Sequence, residues 1–234
     1  MQDVRKPEVT HTHPFLFEFL TKVPKETDSL IDLGCGRGIV GALMRIYRSP
    51  RNLIGVDVFP EYLKFCSDHG FYDECLLWDL RRLPLPFKGK EFDVATCLET
   101  IEHLPKDDGE RLLDELDRIA KIVVVSTPNT FFTQPRFDGN RFQAHLSRWS
   151  VWDFSRRGYR IRGVGELKSK IRYLKLFLPR LGHAFPFVSE YLLAFKKIWN
   201  TYLACDGTPG GASENENTTS AIYNGVDLGS SEKG

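Results

Sequence analysis

Three aspartates stand at the ends of short apolar runs: Asp32 in Leu30-Ile-Asp-Leu, Asp57 in Leu53-Ile-Gly-Val-Asp and Asp79 in Leu76-Leu-Trp-Asp. A carboxylate in that position can meet a cation or accept hydrogen bonds from hydroxyl and amino groups. Asp32 is placed to meet a cationic group, such as the α-amino group of a bound amino acid, and Asp57 can take both hydroxyls of a ribose. Asp79 can accept from an adenine amino group while Leu80 or Trp78 contacts the ring. Directly after Asp32 comes Gly34-Cys35-Gly36-Arg37-Gly38. Glycines there permit a tight turn and let backbone N–H groups approach a ligand closely. A fourth element, Phe92-Asp-Val-Ala-Thr-Cys-Leu-Glu-Thr-Ile-Glu-His-Leu104, runs from an apolar strand into a polar loop carrying Glu99, Glu102 and His103.

These groups act together only if a fold gathers the ends of the runs. Strands are expected at Leu30–Leu33, Leu53–Val56, Glu74–Leu77, Phe92–Cys97 and Ile122–Ser126, and helices at Phe15–Leu20, Ile39–Tyr47, Glu61–His69 and Lys106–Ala120. Leu112, Leu113, Leu116 and Ile119 recur at helical spacing on one face. Ile122-Val-Val-Val is a β-branched run without alternation, as expected of a strand covered on both sides. Alternating strands and helices predict an α/β fold, a doubly wound and mostly parallel sheet with helices on both faces. Open sheets of that kind bind ligands at the carboxyl ends of their strands, where all four elements lie. After Pro128 a long loop leads to Trp149. Ser150 can cap a helix over Val151–Arg157, Gly158 ends it, and Tyr159–Val164 reads as a further strand.

The same glycines admit a rival reading. Gly36, Gly38 and Gly41 spell G-x-G-x-x-G, with Asp57 21 residues after Gly36, the pattern of a dinucleotide site in an NAD(P)-dependent oxidoreductase. Against it, Asp32 would repel a pyrophosphate, and no Tyr-x-x-x-Lys or comparable hydride-transfer set is apparent. Taken together, Asp-Leu-Gly-Cys-Gly-Arg-Gly, Gly-Val-Asp57, Asp79-Leu and Phe-Asp-Val…Leu-Glu-Thr-Ile-Glu-His-Leu resemble the class I S-adenosylmethionine-dependent methyltransferases, in their small-molecule branch. The resemblance implies S-adenosylmethionine as cofactor and a seven-stranded sheet whose last strand, assigned to Tyr191–Phe195, runs antiparallel. It further implies that Asp32 and the turn Gly34, Cys35, Gly36 and Gly38 hold the methionine end. Asp57 with Val58 would hold the ribose, Asp79 with Leu80 the adenine, and Glu99 would line the cofactor near the sulfonium.

Methyl transfer is an in-line displacement, so the protein has chiefly to align acceptor and methyl, an effect worth roughly 7–11 kcal/mol. His103 and His145 are the candidate general bases, because imidazole titrates near neutral pH. Trp149 and Trp152 either line the acceptor pocket or pack in the core. The cysteines (Cys35, Cys66, Cys75, Cys97 and Cys205) lack metal-ligand spacing, as do His11 and His13, and no metal ligands are assigned.

The net charge of +1 hides a split: Arg136 to Lys197 carries 14 Lys/Arg against 4 Asp/Glu, leaving −9 in the rest. Within it, Ile171, Leu174, Leu176, Phe177, Leu178 and Leu181 interleave with Lys168, Lys170, Arg172, Lys175 and Arg180. This pattern over 165–190 fits an insertion packed on the domain, a lid over a hydrophobic acceptor, or a contact of 167–199 with an anionic membrane surface. RNA is the least expected partner, since no separate basic module is visible. One domain is expected over 1–205, with a disordered Gly/Ser/Asn-rich tail over 206–234. No signal-peptide pattern and no apolar run of about 20 residues occurs, which points to the cytoplasm. The expected function is methylation of a small molecule, lipid-like or glycan-linked acceptors included. A non-catalytic module of the same fold, binding a partner through the basic segment, is the alternative from another class.

Overall fold

A computed structural model describes residues 15–129, 140–167 and 186–198. The elements in chain order are α1 (Phe15–Leu20), β1 (Ser29–Leu33), α2 (Ile39–Tyr47), β2 (Asn52–Asp57), α3 (Pro60–Asp68), β3 (Glu74–Leu77), β4 (Phe92–Leu98), α4 (Lys106–Ile119), β5 (Ala120–Pro128), α5 (Val151–Ser155), β6 (Arg160–Leu167) and β7 (Ser189–Lys197). The expected strands and helices form within a few residues of their anticipated bounds. The core of the basic apolar segment and the expected tail lie outside the described residues.

Seven strands make one sheet in the order β3-β2-β1-β4-β5-β7-β6. β1 to β5 pair in parallel, and β7 runs antiparallel between β5 and β6. The doubly wound, mostly parallel sheet is therefore as expected, including the antiparallel strand around Tyr191–Phe195. The winding reverses between β1 and β4, which are direct neighbours, and that reversal opens a crevice at their carboxyl ends.

Alternation along each central strand sends side chains to two cores. Leu30, Val94, Val124 and Leu193 face α1, α2 and α3, packing with Phe19, Met44 and Leu63. Ile31, Ala95, Val123 and Ala194 face the other way, toward Leu112, Leu113, Leu116 and Ile119 of α4 and Phe154 of α5. Those four α4 side chains are fully buried, and each contributes about 1.5–3 kcal/mol relative to exposure. Asp107 and Asp108 in the first turn of α4 and Arg118 in its last complement the helix dipole. Ser150 caps α5 as expected, in a reciprocal capping box with Asp153. No described helix is long and apolar enough to cross a membrane.

Trp149 belongs to the core, at 1% exposure, and donates its ring N–H to Ser147 Oγ at 2.9 Å. Its ring lies over α4 where Gly109 leaves room: a Cβ there would stand 2.5 Å from Trp149 Cζ2 and 3.1 Å from Ile101 Cγ1. Gly109→Ala is a sensitive test of this packing. Helix propensity alone would stabilise the variant by about 1 kcal/mol. Overpacking against a fully buried indole costs about 1–3 kcal/mol and should outweigh it. Urea denaturation should show a lower midpoint for Gly109→Ala, and a raised midpoint would mean that Trp149 yields freely.

Candidate active site

The glycine turn after β1 is held from below by the backbone of β2. Gly34 and Cys35 N–H both donate to the Val56 carbonyl, at 2.8 and 2.9 Å. Gly34, Gly36 and Gly38 all have positive φ, at 75°, 52° and 81°. Gly34 is obligatory for a second reason, since the Thr100 side chain occupies the place of its Cβ. The turn is tied sideways as well. Asp57 accepts the Gly36 N–H on Oδ2 at 2.8 Å and the Phe59 N–H on Oδ1 at 2.9 Å. Each oxygen retains a lone pair for a further donor.

Above the turn lies a cavity of about 490 Å³. Gly34, Gly36, Asp57, Val58, Asp79, Leu80, Glu99 and His103 line it, so most of the expected site residues converge there. Its outer wall comes from Arg141, Phe142, Gln143, Ala144 and Leu146. Asp32, Cys35, Gly38 and His145 are not among the lining residues. Asp32 is 2% exposed, under the turn, where Thr96 donates to Oδ1 at 2.7 Å and Tyr72 to Oδ2 at 2.6 Å. Burial raises its pKa to about 6 against the pull of those two hydroxyls. Cys35 is a buried thiol whose contact with Cys66, together with burial, pushes its pKa upward. Asp79 is held below the usual carboxylate range by Arg81, whose Nε lies 2.9 Å from Oδ1. Trp78 turns its ring N–H to the Arg82 carbonyl and does not line the cavity, leaving Leu80 as the apolar contact.

The polar loop after β4 gathers the remaining groups. Glu99 takes a left-handed conformation, φ 51°, and its carboxylate accepts from Ser126 Oγ of β5 at 2.9 Å. Burial first, and the neighbouring Glu102 second, push its pKa well up. Glu102 is 3% exposed, and burial raises it to about 8. Its Oε2 is buried and makes no well-formed hydrogen bond, although the nearby Thr127 hydroxyl pulls its pKa partly back down. His103 has its Nδ1 3.2 Å from the Ala144 carbonyl, and burial lowers it to about 4, so the ring is neutral at pH 7. With its proton on Nδ1, the other ring nitrogen keeps a lone pair. The His145 ring centres 5.0 Å from that of His103. One ligand atom from each of Glu102, His103 and His145 lies within 4.8 Å of the others. The sequence reading assigned no metal ligands. Glu102 and His145 are 43 positions apart, and no regular spacing reveals their meeting.

Among the described residues no ion pair reaches Asp32, Asp57, Glu99 or Glu102, whereas Asp79 has Arg81. A site with Asp57 and Glu99 on its walls and Asp32 and Glu102 buried nearby, none of them with a basic partner, is complementary to a cationic ligand. Its volume lies within the range of cofactor pockets, and nothing stands within 4 Å of where a Cβ of Gly36 would be. The residues therefore fit a ligand that bears a sulfonium and an α-ammonium group at one end and an adenosine at the other.

Comparison with known proteins agrees. Residues 31–122 match the family described as "Methyltransferase domain". A small RNA 2'-O-methyltransferase of Arabidopsis thaliana is 30% identical over 131 residues, 49% of this chain and 14% of that protein. A ubiquinone biosynthesis O-methyltransferase of Haemophilus ducreyi is 28% identical over 112 residues, 39% of this chain and 47% of the relative. The chain thus spans less than half the length of either. Among solved structures, the methyltransferase domain of bacterial-CtHen1-CN is 26% identical, with a TM-score of 0.50 over 77% of this chain and 94% of that one. An S-adenosylmethionine-dependent methyltransferase from Mesorhizobium loti, at 17% identity, shares the fold with a TM-score of 0.54 over 80% and 98% of the two chains. The fold and the family match over residues 31–122 support a class I S-adenosylmethionine-dependent methyltransferase.

Proposed function

We propose that this protein methylates a hydroxyl oxygen of an acceptor that presents two neighbouring hydroxyls, with a divalent cation held beside the cofactor cavity by Glu102, His103 and His145. One observation carries the reading: those three residues converge beside the cavity, which His103 lines, with a buried Glu102 oxygen lacking a well-formed hydrogen bond. A buried polar atom left unpaired costs about 1–3 kcal/mol, which a ligand recovers on binding. Two imidazoles and a carboxylate suit a borderline first-row cation, and three protein ligands leave positions open for an acceptor. A cation bound there would favour the ionised form of an acceptor hydroxyl. The neighbouring Glu99 is anchored by Ser126 and faces the same space.

On the cofactor side, S-adenosylmethionine supplies a methyl already activated on sulfur. Asp57 and Val58 are assigned to its ribose, and Leu80 with Asp79 to the adenine. The glycine turn, backed by Asp32, is assigned to the methionine end. The protein's task is to orient the two partners and exclude water, which is where the alignment effect arises. Transfer to oxygen is also the activity in the names of the small RNA 2'-O-methyltransferases and the ubiquinone biosynthesis O-methyltransferases it resembles. A ribose at an RNA 3' end and a catechol share the vicinal pair of hydroxyls, and both are candidate acceptors. The acceptor class thus widens beyond the small molecules expected from sequence. The second reading keeps His103 and His145 as metal-free general bases.

Two measurements test these assignments. Titration calorimetry with S-adenosylhomocysteine should give micromolar affinity for the wild type and a loss of more than tenfold in Asp57→Ala. Equal affinities would remove Asp57 from the ribose. Labelled S-adenosylmethionine should then be offered with a short oligoribonucleotide in one arm and a catechol in the other, with Mn²⁺ or with a chelator. Methyl incorporation is expected only with the cation, and Glu102→Ala should lower it at least hundredfold while S-adenosylhomocysteine still binds. Undiminished turnover in chelator would discard the metal and leave the histidine pair as base.

A further inference from the structure

Tyr72 lies in the connection between α3 and β3 and did not figure in any motif. It is 6% exposed, and its ring enters a slot that two glycines leave open. A Cβ at Gly41 of α2 would stand 2.7 Å from its Cζ, and one at Gly55 of β2 would stand 2.7 Å from its Cδ2. Glycine inside a helix or strand is unfavourable by itself, so the fold accepts a local cost at two positions to admit this ring. A phenylalanine would fill the same slot. The hydroxyl is what remains to be explained, because burying one is unfavourable unless it is bonded.

The hydroxyl has two partners. It donates to Asp32 Oδ2 at 2.6 Å and accepts the Gly41 N–H at 3.1 Å. Gly41 is the third residue of α2, and its N–H is one of the donors that a helix start leaves without an intrahelical partner. The residue before α2, Gly38, has no side chain with which to cap them. Tyr72 thus performs from 31 positions away what a capping side chain performs locally, and the same atom fixes the carboxylate under the glycine turn.

We propose that Tyr72 is a positioning residue for the cofactor: its hydroxyl sets Asp32 and the start of α2 in the geometry that the methionine end of the ligand requires. The proposal rests on assigning that end to Asp32 and the glycine turn. Thr96 of β4 holds the other Asp32 oxygen, at 2.7 Å. The further titratable groups that face Asp32 are Asp57 at the end of β2, Cys35 in the turn and Cys97 of β4. None of these supplies a positive charge. The two hydroxyls alone therefore favour the ionised carboxylate against burial. Removing one raises the pH at which Asp32 ionises.

The test is calorimetric titration of S-adenosylhomocysteine into wild type, Tyr72→Phe, Asp32→Asn and the double variant between pH 5 and 8. Tyr72→Phe should lose roughly tenfold in affinity, the scale of a hydrogen bond to a charged group. The pH below which affinity falls should move upward by about one unit. The effect should shrink markedly in the Asp32→Asn background, because the two residues act through one contact. A Tyr72→Phe protein with unchanged affinity and pH midpoint, whether or not its melting temperature drops, overturns the proposal. Additive losses in the double variant overturn it too. Should Tyr72→Phe not fold, Asp32→Asn decides: a tenfold loss with a flattened pH profile supports the link, and wild-type binding overturns it. Wild-type protein that binds no S-adenosylhomocysteine removes the underlying assignment, and the proposal with it.

Discussion

The site depends on one hydrogen bond between neighbouring strand ends, from the Gly36 N–H to Asp57 Oδ2. It closes the glycine turn onto β2 and orients the Asp57 carboxylate toward the cavity. Two more backbone bonds, from Gly34 and Cys35 to the Val56 carbonyl, reinforce the same junction. With the turn fixed on β2, its other side is free to meet Thr100 after β4, whose side chain fills the space beside Gly34. The crevice between β1 and β4 is thereby given a floor tied to β2 by three hydrogen bonds before any ligand enters. Preorganisation of this kind reduces the ordering cost of binding.

Electrostatics follow from that floor. Asp32, Glu99 and Glu102 are all shifted toward the protonated form, and in each the leading cause is burial. Elsewhere in the protein carboxylates are neutralised in ordinary ways. Asp93 has Lys121, Glu115 has Arg118, and Asp153 has Lys106. The contrast is informative because a buried carboxylate without a cation destabilises the fold. Such destabilisation concentrated around one cavity is a mark of a binding site. It also favours a positively charged occupant, which both a sulfonium ligand and a divalent cation satisfy.

The fold and half of the site were legible in the sequence because they rest on local regularities. Ile122-Val-Val-Val reads as a doubly covered strand, and Asp32, Asp57 and Asp79 follow from counting to strand ends. What resisted reading depends on contacts between distant residues. Glu102 and His145 meet across 43 positions, and Tyr72 reaches Asp32 across 40. Trp149 was ambiguous between pocket and core until Gly109 showed the notch that receives it. Asp79 was expected to serve a ligand, and Arg81 two residues later was already visible as its partner. Asp79 and Arg81 meet in the turn after β3, where the chain folds the guanidinium back onto the carboxylate.

The rival dinucleotide pattern shows how tertiary context decides between two readings of the same letters. In a dinucleotide site the third glycine of G-x-G-x-x-G serves the close packing of helix against strand. Gly41 here is small for another reason: the ring of Tyr72 lies against it, and the hydroxyl caps its N–H. Gly38 likewise answers to Cys66 and Phe71, which crowd the place of its Cβ. Neither glycine is among the residues that line the cavity, whereas Gly34 and Gly36 are. The glycines that face the cavity are therefore the first two of the turn, and the later ones build the wall behind it. A motif defined by spacing alone cannot separate these roles, because residues distant in sequence, Cys66 and Phe71 at Gly38 and Tyr72 at Gly41, impose the second set.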